Sequence, residues 1–130
     1  MCLAIVFLLV GCGTTSNGSN GQNNLNTSEQ KIQEFVEENK SSVESLSNSL
    51  LDVKFVARGK SVVYEYYYKT TYSAEQTSIM KTSIDKSINN SSSAFTNLLS
   101  ELKTVVPDTE SVIVEYYNGD NTLITAIEFK

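Results

Sequence analysis

The chain has 130 residues and a net charge of −5, from 15 acidic and 10 basic side chains, with no histidine and two cysteines, Cys2 and Cys12. An acidic chain without a basic run lacks the electrostatic footprint of a nucleic-acid binder, so no nucleic-acid partner is expected. Without histidine the commonest general base and the usual activator of a Ser or Cys nucleophile are missing, and any catalysis would rest on carboxylates, Lys or Tyr. Both cysteines precede the part that can fold, so that part is expected to hold no disulfide, no metal and no cofactor.

Residues 3–10, LAIVFLLV, form an unbroken apolar run of signal-peptide length, too short for a helix to cross a hydrocarbon core of about 30 Å. Its last two residues, Leu9 and Val10, with Gly11 and Cys12 after them resemble a bacterial lipobox. That resemblance implies a diacylglycerol on the sulfur of Cys12 and cleavage before it, which makes residues 1–11 a signal peptide. Each buried methylene contributes about 0.8 kcal/mol, and two or more acyl chains hold a protein on a membrane where one does not. The start, MCLAIV, carries no Lys or Arg, whereas signal peptides open on basic residues; basic codons upstream of Met1 are therefore expected. Residues 12–27 continue with GTTSNGSNGQNNLNT after the cysteine, too polar and small to offset the entropy of ordering. They are expected to form a flexible tether of about 15 residues with a reach of about 20 Å.

Thr27 and Gln30 have capping-box spacing, and Ile32, Phe35, Val36, Val43, Leu46 and Leu50 recur at threes and fours, which predicts a helix over 28–50. Glu34, Glu37 and Glu38 lie on its other side and read as a solvated helix face rather than a metal or acid–base cluster. The stretch DVKFVARGKSVVYEYYYKT alternates around Gly59 and Lys60, which predicts a tight hairpin with a type II′ turn. In that register Ala57 faces Val62, Phe55 faces Tyr64, Val53 faces Tyr66 and Lys54 meets Glu65. Ser73 and Gln76 open a second capping box, and the stripe Ile79 or Met80, Ile84, Ile88, Phe95, Leu98, Leu99, Leu102 predicts a helix to about residue 103, with a kink in NNSSSA near residues 90–93. Pro107 blocks further helix.

The last hairpin is SVIVEYYNGDNTLITAIEF. It sets Val112, Val114 and Tyr116 against Leu123, Ile127 and Phe129 on an inner face that also holds Thr125, with Asn121 or Gly119 supplying positive φ in the turn at 118–121. The whole reads as one α+β domain over 28–130: a two-layer sandwich in helix–hairpin–helix–hairpin order, with two helices on one face of a four-stranded, largely antiparallel sheet. SVVYEYY from Ser61 and SVIVEYY from Ser111 echo one another. Either a duplicated helix–hairpin unit or shared β propensity accounts for the echo.

The seven tyrosines, Tyr64, Tyr66, Tyr67, Tyr68, Tyr72, Tyr116 and Tyr117, fall in or beside the strands, where their rings serve either a core or a recognition surface. If the helices cover the face of Phe55 and Tyr64, then Val56, Val63, Tyr67, Ile113, Tyr117 and Ile124 share the other. That set is more apolar than a solvated sheet face requires, and it is the candidate surface for a protein or glycan partner, for a homodimer, or for no partner at all. No phosphate loop, metal-spaced carboxylate set or nucleophile–base pair occurs, so no catalytic residue is assigned.

The lipobox at 9–12, the helix around IQEFVEENK, the hairpin VKFVARGKSVVYEY, the helix end AFTNLLSELK and the tail VIVEYYNGDNTLITAIEF together resemble a family of small Gram-positive Firmicutes lipoproteins defined by domain of unknown function 4854. The resemblance covers about residues 30–130. It implies a module anchored by lipid to the outer face of the cell membrane and is silent about mechanism. Family members often carry Gly where Asn121 stands here, and Asn also tolerates positive φ. The expected role is a lipid-anchored, extracytoplasmic binding or protein-interaction module without catalysis. An inhibitor or accessory subunit docking on a membrane enzyme or transporter is the alternative, and a carboxylate-dependent hydrolase comes third.

Overall fold

The computed structural model describes residues 27–130. The signal peptide expected at 1–11, the lipidation site Cys12 and the tether as far as residue 26 lie outside the described residues. In chain order the elements are α1 (Thr27–Glu44), β1 (Leu51–Arg58), β2 (Ser61–Tyr68), α2 (Ala74–Asn90), α3 (Ser92–Val105), β3 (Ser111–Tyr117) and β4 (Leu123–Phe129). The strands lie in the order β1-β2-β3-β4. The two hairpin pairs are antiparallel, and the central pair, β2 and β3, is parallel. Parallel neighbours need a long crossover, which α2 and α3 supply. The helices pack against the sheet, α1 on β1, α2 on β4 and α3 on β3, so the architecture is α+β as expected.

The first hairpin has the predicted register, with Phe55 opposite Tyr64 and Lys54 opposite Glu65. Gly59 takes φ +58° and Lys60 stays out of the left-handed region, the sign pattern of a II′ turn. Ser73 caps α2 by accepting from the Gln76 N–H at 3.3 Å, while the Gln76 side chain accepts from the Ser73 N–H at 2.9 Å. The long second helix breaks at Ser91, inside the run of poor helix formers where a kink was expected.

α1 stops at Glu44, short of the expected residue 50, because Glu44 and side chains just after it bind β1 instead. Asn48 Oδ1 accepts from the Leu51 N–H at 3.0 Å, Ser47 Oγ from Val53 at 2.8 Å and Glu44 Oε2 from Phe55 at 3.2 Å. Short polar side chains offer the backbone such alternatives to helix. These bonds also occupy donors along an edge strand that would otherwise invite pairing with another chain. Leu46 and Leu50, predicted to continue the buried stripe, are exposed instead.

The core lies between the layers: Ile32, Val36 and Val43 of α1, Phe55 and Tyr64 of the first hairpin, Ile84 and Ile88 of α2, Phe95, Leu98, Leu99 and Leu102 of α3, and Val112 and Val114 of β3. Thr125 is the polar residue on this inner face of β4. Its hydroxyl donates to Asp85 Oδ1 at 2.6 Å and accepts from Lys81 Nζ at 3.4 Å, and the Lys81–Asp85 pair closes at 2.6 Å. Lys81 and the Thr125 hydroxyl hold the Asp85 carboxyl below its usual range.

In the second hairpin the register shifts between Tyr116 and Tyr117, so Tyr116 faces Thr125 while Tyr117 faces Leu123. Ile124 is the extra residue of this bulge. Leu123, expected on the inner face, is exposed. Asn121 takes the positive φ, 69°.

Candidate functional site

The face of the sheet turned away from the helices is built mainly from the two echoing segments. They pair in parallel and in register, so Ser61 lies beside Ser111, Val63 beside Ile113, Glu65 beside Glu115 and Tyr67 beside Tyr117. Val56 of β1 lies opposite Val63. Five of the six residues expected on this face are therefore brought together in one block. Ile124 is the exception: as the bulged residue it packs against the inner core, and the face ends without it. Val63 is fully buried between its neighbours, whereas Val56, Tyr67, Ile113 and Tyr117 are half-buried.

The tyrosine rings stack nearly parallel, with centroids 4.7 Å apart and planes at 9°, a favourable cross-strand arrangement. The other side of Tyr67 is taken by the Lys54 ammonium, 5.0 Å from the ring centroid. Tyr67 Oη donates to Glu65 Oε1 at 3.2 Å and Tyr117 Oη to Glu115 Oε2 at 2.6 Å. Arg58, at the end of β1, reaches across β2 to fork onto Glu115 with bonds of 2.7 and 3.1 Å and touches Glu65 at 3.5 Å. Two like charges side by side on adjacent strands would repel; the guanidinium between them converts the pair into a network.

The Arg58 fork, with help from the Tyr117 hydroxyl, holds the Glu115 carboxyl below its usual range despite burial. Burial, reinforced by that same bond to Glu115, pushes the Tyr117 phenol up to about 12. Glu115 thus stays ionised and Tyr117 stays a donor at neutral pH, and neither is poised to exchange a proton. The Tyr67 ring is thus flanked by Tyr117 and by Lys54.

Glu65 stands on this face as its pairing with Lys54 predicts, whereas Arg58 and Glu115 are members that the sequence reading does not assign to it. The signal was the echo itself, since matching Glu residues in matching segments become neighbours once the segments pair in register. Glu34, Glu37 and Glu38 sit exposed along α1. Among the described residues no three His, Cys, Asp or Glu side chains gather as a metal site, and no helix is long and apolar enough to cross a membrane.

Three helices on one side of a mixed four-stranded sheet, with a tyrosine-paired face on the other, define a small α+β module. The chain belongs to the family described as Domain of unknown function (DUF4854), whose model matches residues 24–129. Among solved structures it is similar to a presumed secreted protein from Pseudomonas aeruginosa, with a TM-score of 0.55 and 7% identity over 81% of this chain and 94% of the other. That likeness is one of fold. The type II secretion system pilotin AspS from Vibrio cholerae superimposes more loosely, with a TM-score of 0.38 and 12% identity over 79% of this chain and 92% of the pilotin. No curated protein matches the chain.

Proposed function

We propose that this chain is a lipid-anchored, extracytoplasmic interaction module of a Gram-positive cell, which binds a protein partner through the open face of its sheet and performs no catalysis. The observation that carries the reading is the block formed by Val56, Ile113, Tyr67 and Tyr117, half-buried apolar and aromatic residues on the face turned away from the core between the layers. Apolar patches of this kind mark contact surfaces. The polar groups around it are already paired with one another, so the face offers shape and apolar area rather than reactive groups. A protein fits better than a glycan because the Tyr67 ring has no free side. The lipobox-like sequence ending at Cys12 supports the anchor, and the Pseudomonas protein that shares the fold is presumed secreted.

Cross-linking on intact cells tests this reading. The wild-type chain should give a specific adduct, and Val56→Lys with Ile113→Lys should abolish it while leaving the circular dichroism spectrum and cooperative melting in place. Val63 is unsuitable for this purpose, because its full burial makes any substitution there a test of folding. If the adduct is a membrane enzyme or transporter, the module is its accessory subunit; if it is a second copy, the module is a dimer. An adduct that persists in the folded double variant overturns the role of the face. Recovery of the chain in the cytosol, with its leader uncut and the Cys12 thiol free, overturns the location.

A further inference from the structure

The backbones of α1 and α3 stay apart. α1 rests on β1 and the flank of β2, α3 rests on β3 and β4, and the gap between them opens over the helix side of β2. A cavity of about 380 Å³ lies there, lined by Tyr64 from the sheet and by Ser93, Asn97, Leu98 and Glu101 from α3. A narrower apolar recess of about 130 Å³ adjoins it, bounded by Lys31 and Phe35 of α1 and by Leu102 and Val106. Leu98 and Glu101 line both, so the two lie side by side along α3 and together make the groove on its flank.

Tyr64 is fully buried beneath this groove. Among the described residues, its hydroxyl is the buried side-chain polar atom that finds no hydrogen-bond partner. Buried hydroxyls are normally paired, and an orphan is costly. Tyr66 and Tyr116 stack ring on ring, with centroids 4.5 Å apart, and neither of their hydroxyls is a buried orphan.

We propose that this groove is a ligand site for a neutral, elongated apolar molecule with one hydrogen-bond-accepting oxygen, of the chemistry of a fatty-acyl ester, whose chain lies between α1 and α3 and whose carbonyl accepts from Tyr64 Oη. The apolar walls Phe35, Leu98, Leu102 and Val106 select the chain. The unpartnered hydroxyl selects the acceptor, and burial keeps that phenol protonated and therefore a donor. Glu101 lines both parts of the groove and disfavours an anion in the wider one, where Lys31 does not reach. The larger cavity, about 380 Å³, by itself falls within the range of small-molecule sites, roughly 300–1,000 Å³. Entry requires α3 to give way, because the hydroxyl itself is sealed. α3 is suited to that, being separated from α2 at Ser91 and lacking a side-chain cap at its N-terminus.

The site lies on the helix side, away from the face assigned above, so its failure leaves that reading untouched. The test is titration of the full chain with methyl octanoate, followed by amide chemical shifts, alongside octanoate anion. The ester should shift amides at 93–101 and at Tyr64, and the anion should bind at least five-fold more weakly. Tyr64→Phe should melt higher than wild type in the free state, since it removes an orphaned group, yet bind the ester at least five-fold more weakly. Ala94→Trp, an exposed change at the cavity wall, should block binding without unfolding the chain. No ester binding, binding equal in Tyr64→Phe and wild type, or shifts confined to other regions would each overturn the proposal.

Discussion

The side-chain amide of Asn118 grips the backbone of Tyr72 at both of its polar groups. The Tyr72 N–H donates to Asn118 Oδ1 at 2.8 Å, and Asn118 Nδ2 donates to the Tyr72 carbonyl at 2.9 Å. A single side chain thus mimics a strand partner and ties the entry to α2 to the β3–β4 turn, 46 residues away in sequence. Asn118 is buried and Tyr72 half-buried, so water can stand in for these bonds only in part.

Asn118→Ala leaves two backbone groups of Tyr72 without partners and should lower stability by about 2–3 kcal/mol, given about 1–3 kcal/mol for each buried polar group left unsatisfied and some relief by solvent at the loop. Urea denaturation measures this directly. A loss below about 0.5 kcal/mol, the range of an ordinary surface change, would show that the loop is held by other contacts.

Gly119 follows in the chain and is needed for a different reason from Gly59. A Cβ at Gly119 would fall 2.6 Å from the carbonyl carbon of Thr70 and 2.6 Å from the nitrogen of Thr71, backbone atoms that cannot step aside. At Gly59 a Cβ meets nothing within 4 Å, but φ is +58°. Gly59→Ala should cost about 1–2 kcal/mol from the left-handed conformation alone. Gly119→Ala should cost about 1–3 kcal/mol or more from overpacking, and should also loosen the loop around Tyr72. Amide exchange of Tyr72 separates them: only the Gly119 variant should speed it.

The parts legible in the sequence were those set by local chemistry or by strict periodicity. A one-residue slip at Gly59 would carry Phe55 and Tyr64 to the open face, so alternation specified the whole first register. The Ser73–Gln76 box and the break near Ser91 are local as well. What stayed hidden depends on partners far along the chain. The end of α1 is decided by Ser47 and Asn48 binding β1, which no helical stripe reveals. The bulge at Ile124 reverses two assignments that simple alternation makes for β4. Arg58 and Glu115 are 57 residues apart and meet only because β2 and β3 are adjacent and parallel. That adjacency also gives the echo a physical meaning: residues side by side in one layer face the same neighbours above and below, so like environments are filled by like residues, whatever the history of the two segments.

The Arg58 network should show itself in acid. The folded-state pKa of Glu115 is depressed, chiefly by its bonds from Arg58, so its contribution is complete above the ordinary carboxyl value and is lost as pH falls through the folded value. Asp85, depressed by Lys81 and Thr125, adds a loss of the same sign. Wild-type stability should therefore decline below about pH 4.5, the unperturbed Glu value. Arg58→Met should cost about 1–2 kcal/mol at pH 7, the lower part of the range for charged hydrogen bonds because the guanidinium is half exposed. Its deficit should shrink on acidification, since protonation of Glu115 removes the charge that the guanidinium had paired. Urea midpoints of both proteins at pH 7 and pH 3.5 decide the matter; an equal deficit at the two values would mean that Arg58 contributes by packing alone.

At the other end of the same paired strands, Ser61 and Ser111 share one hydrogen bond of 2.8 Å between their hydroxyls, and both are buried. Neither Ser is suited to a strand for its own sake, and each satisfies the other. Ser61→Ala should strand the Ser111 hydroxyl, which has no exposed surface, at a cost of about 1–3 kcal/mol. Replacing both with Ala removes the orphan along with the bond and should return most of that loss. The double variant is then more stable than either single one, a coupling that a thermal or urea cycle of the four proteins would measure. If the two single losses simply add, the hydroxyls are solvated in solution, and the start of the open face is looser than the bond implies.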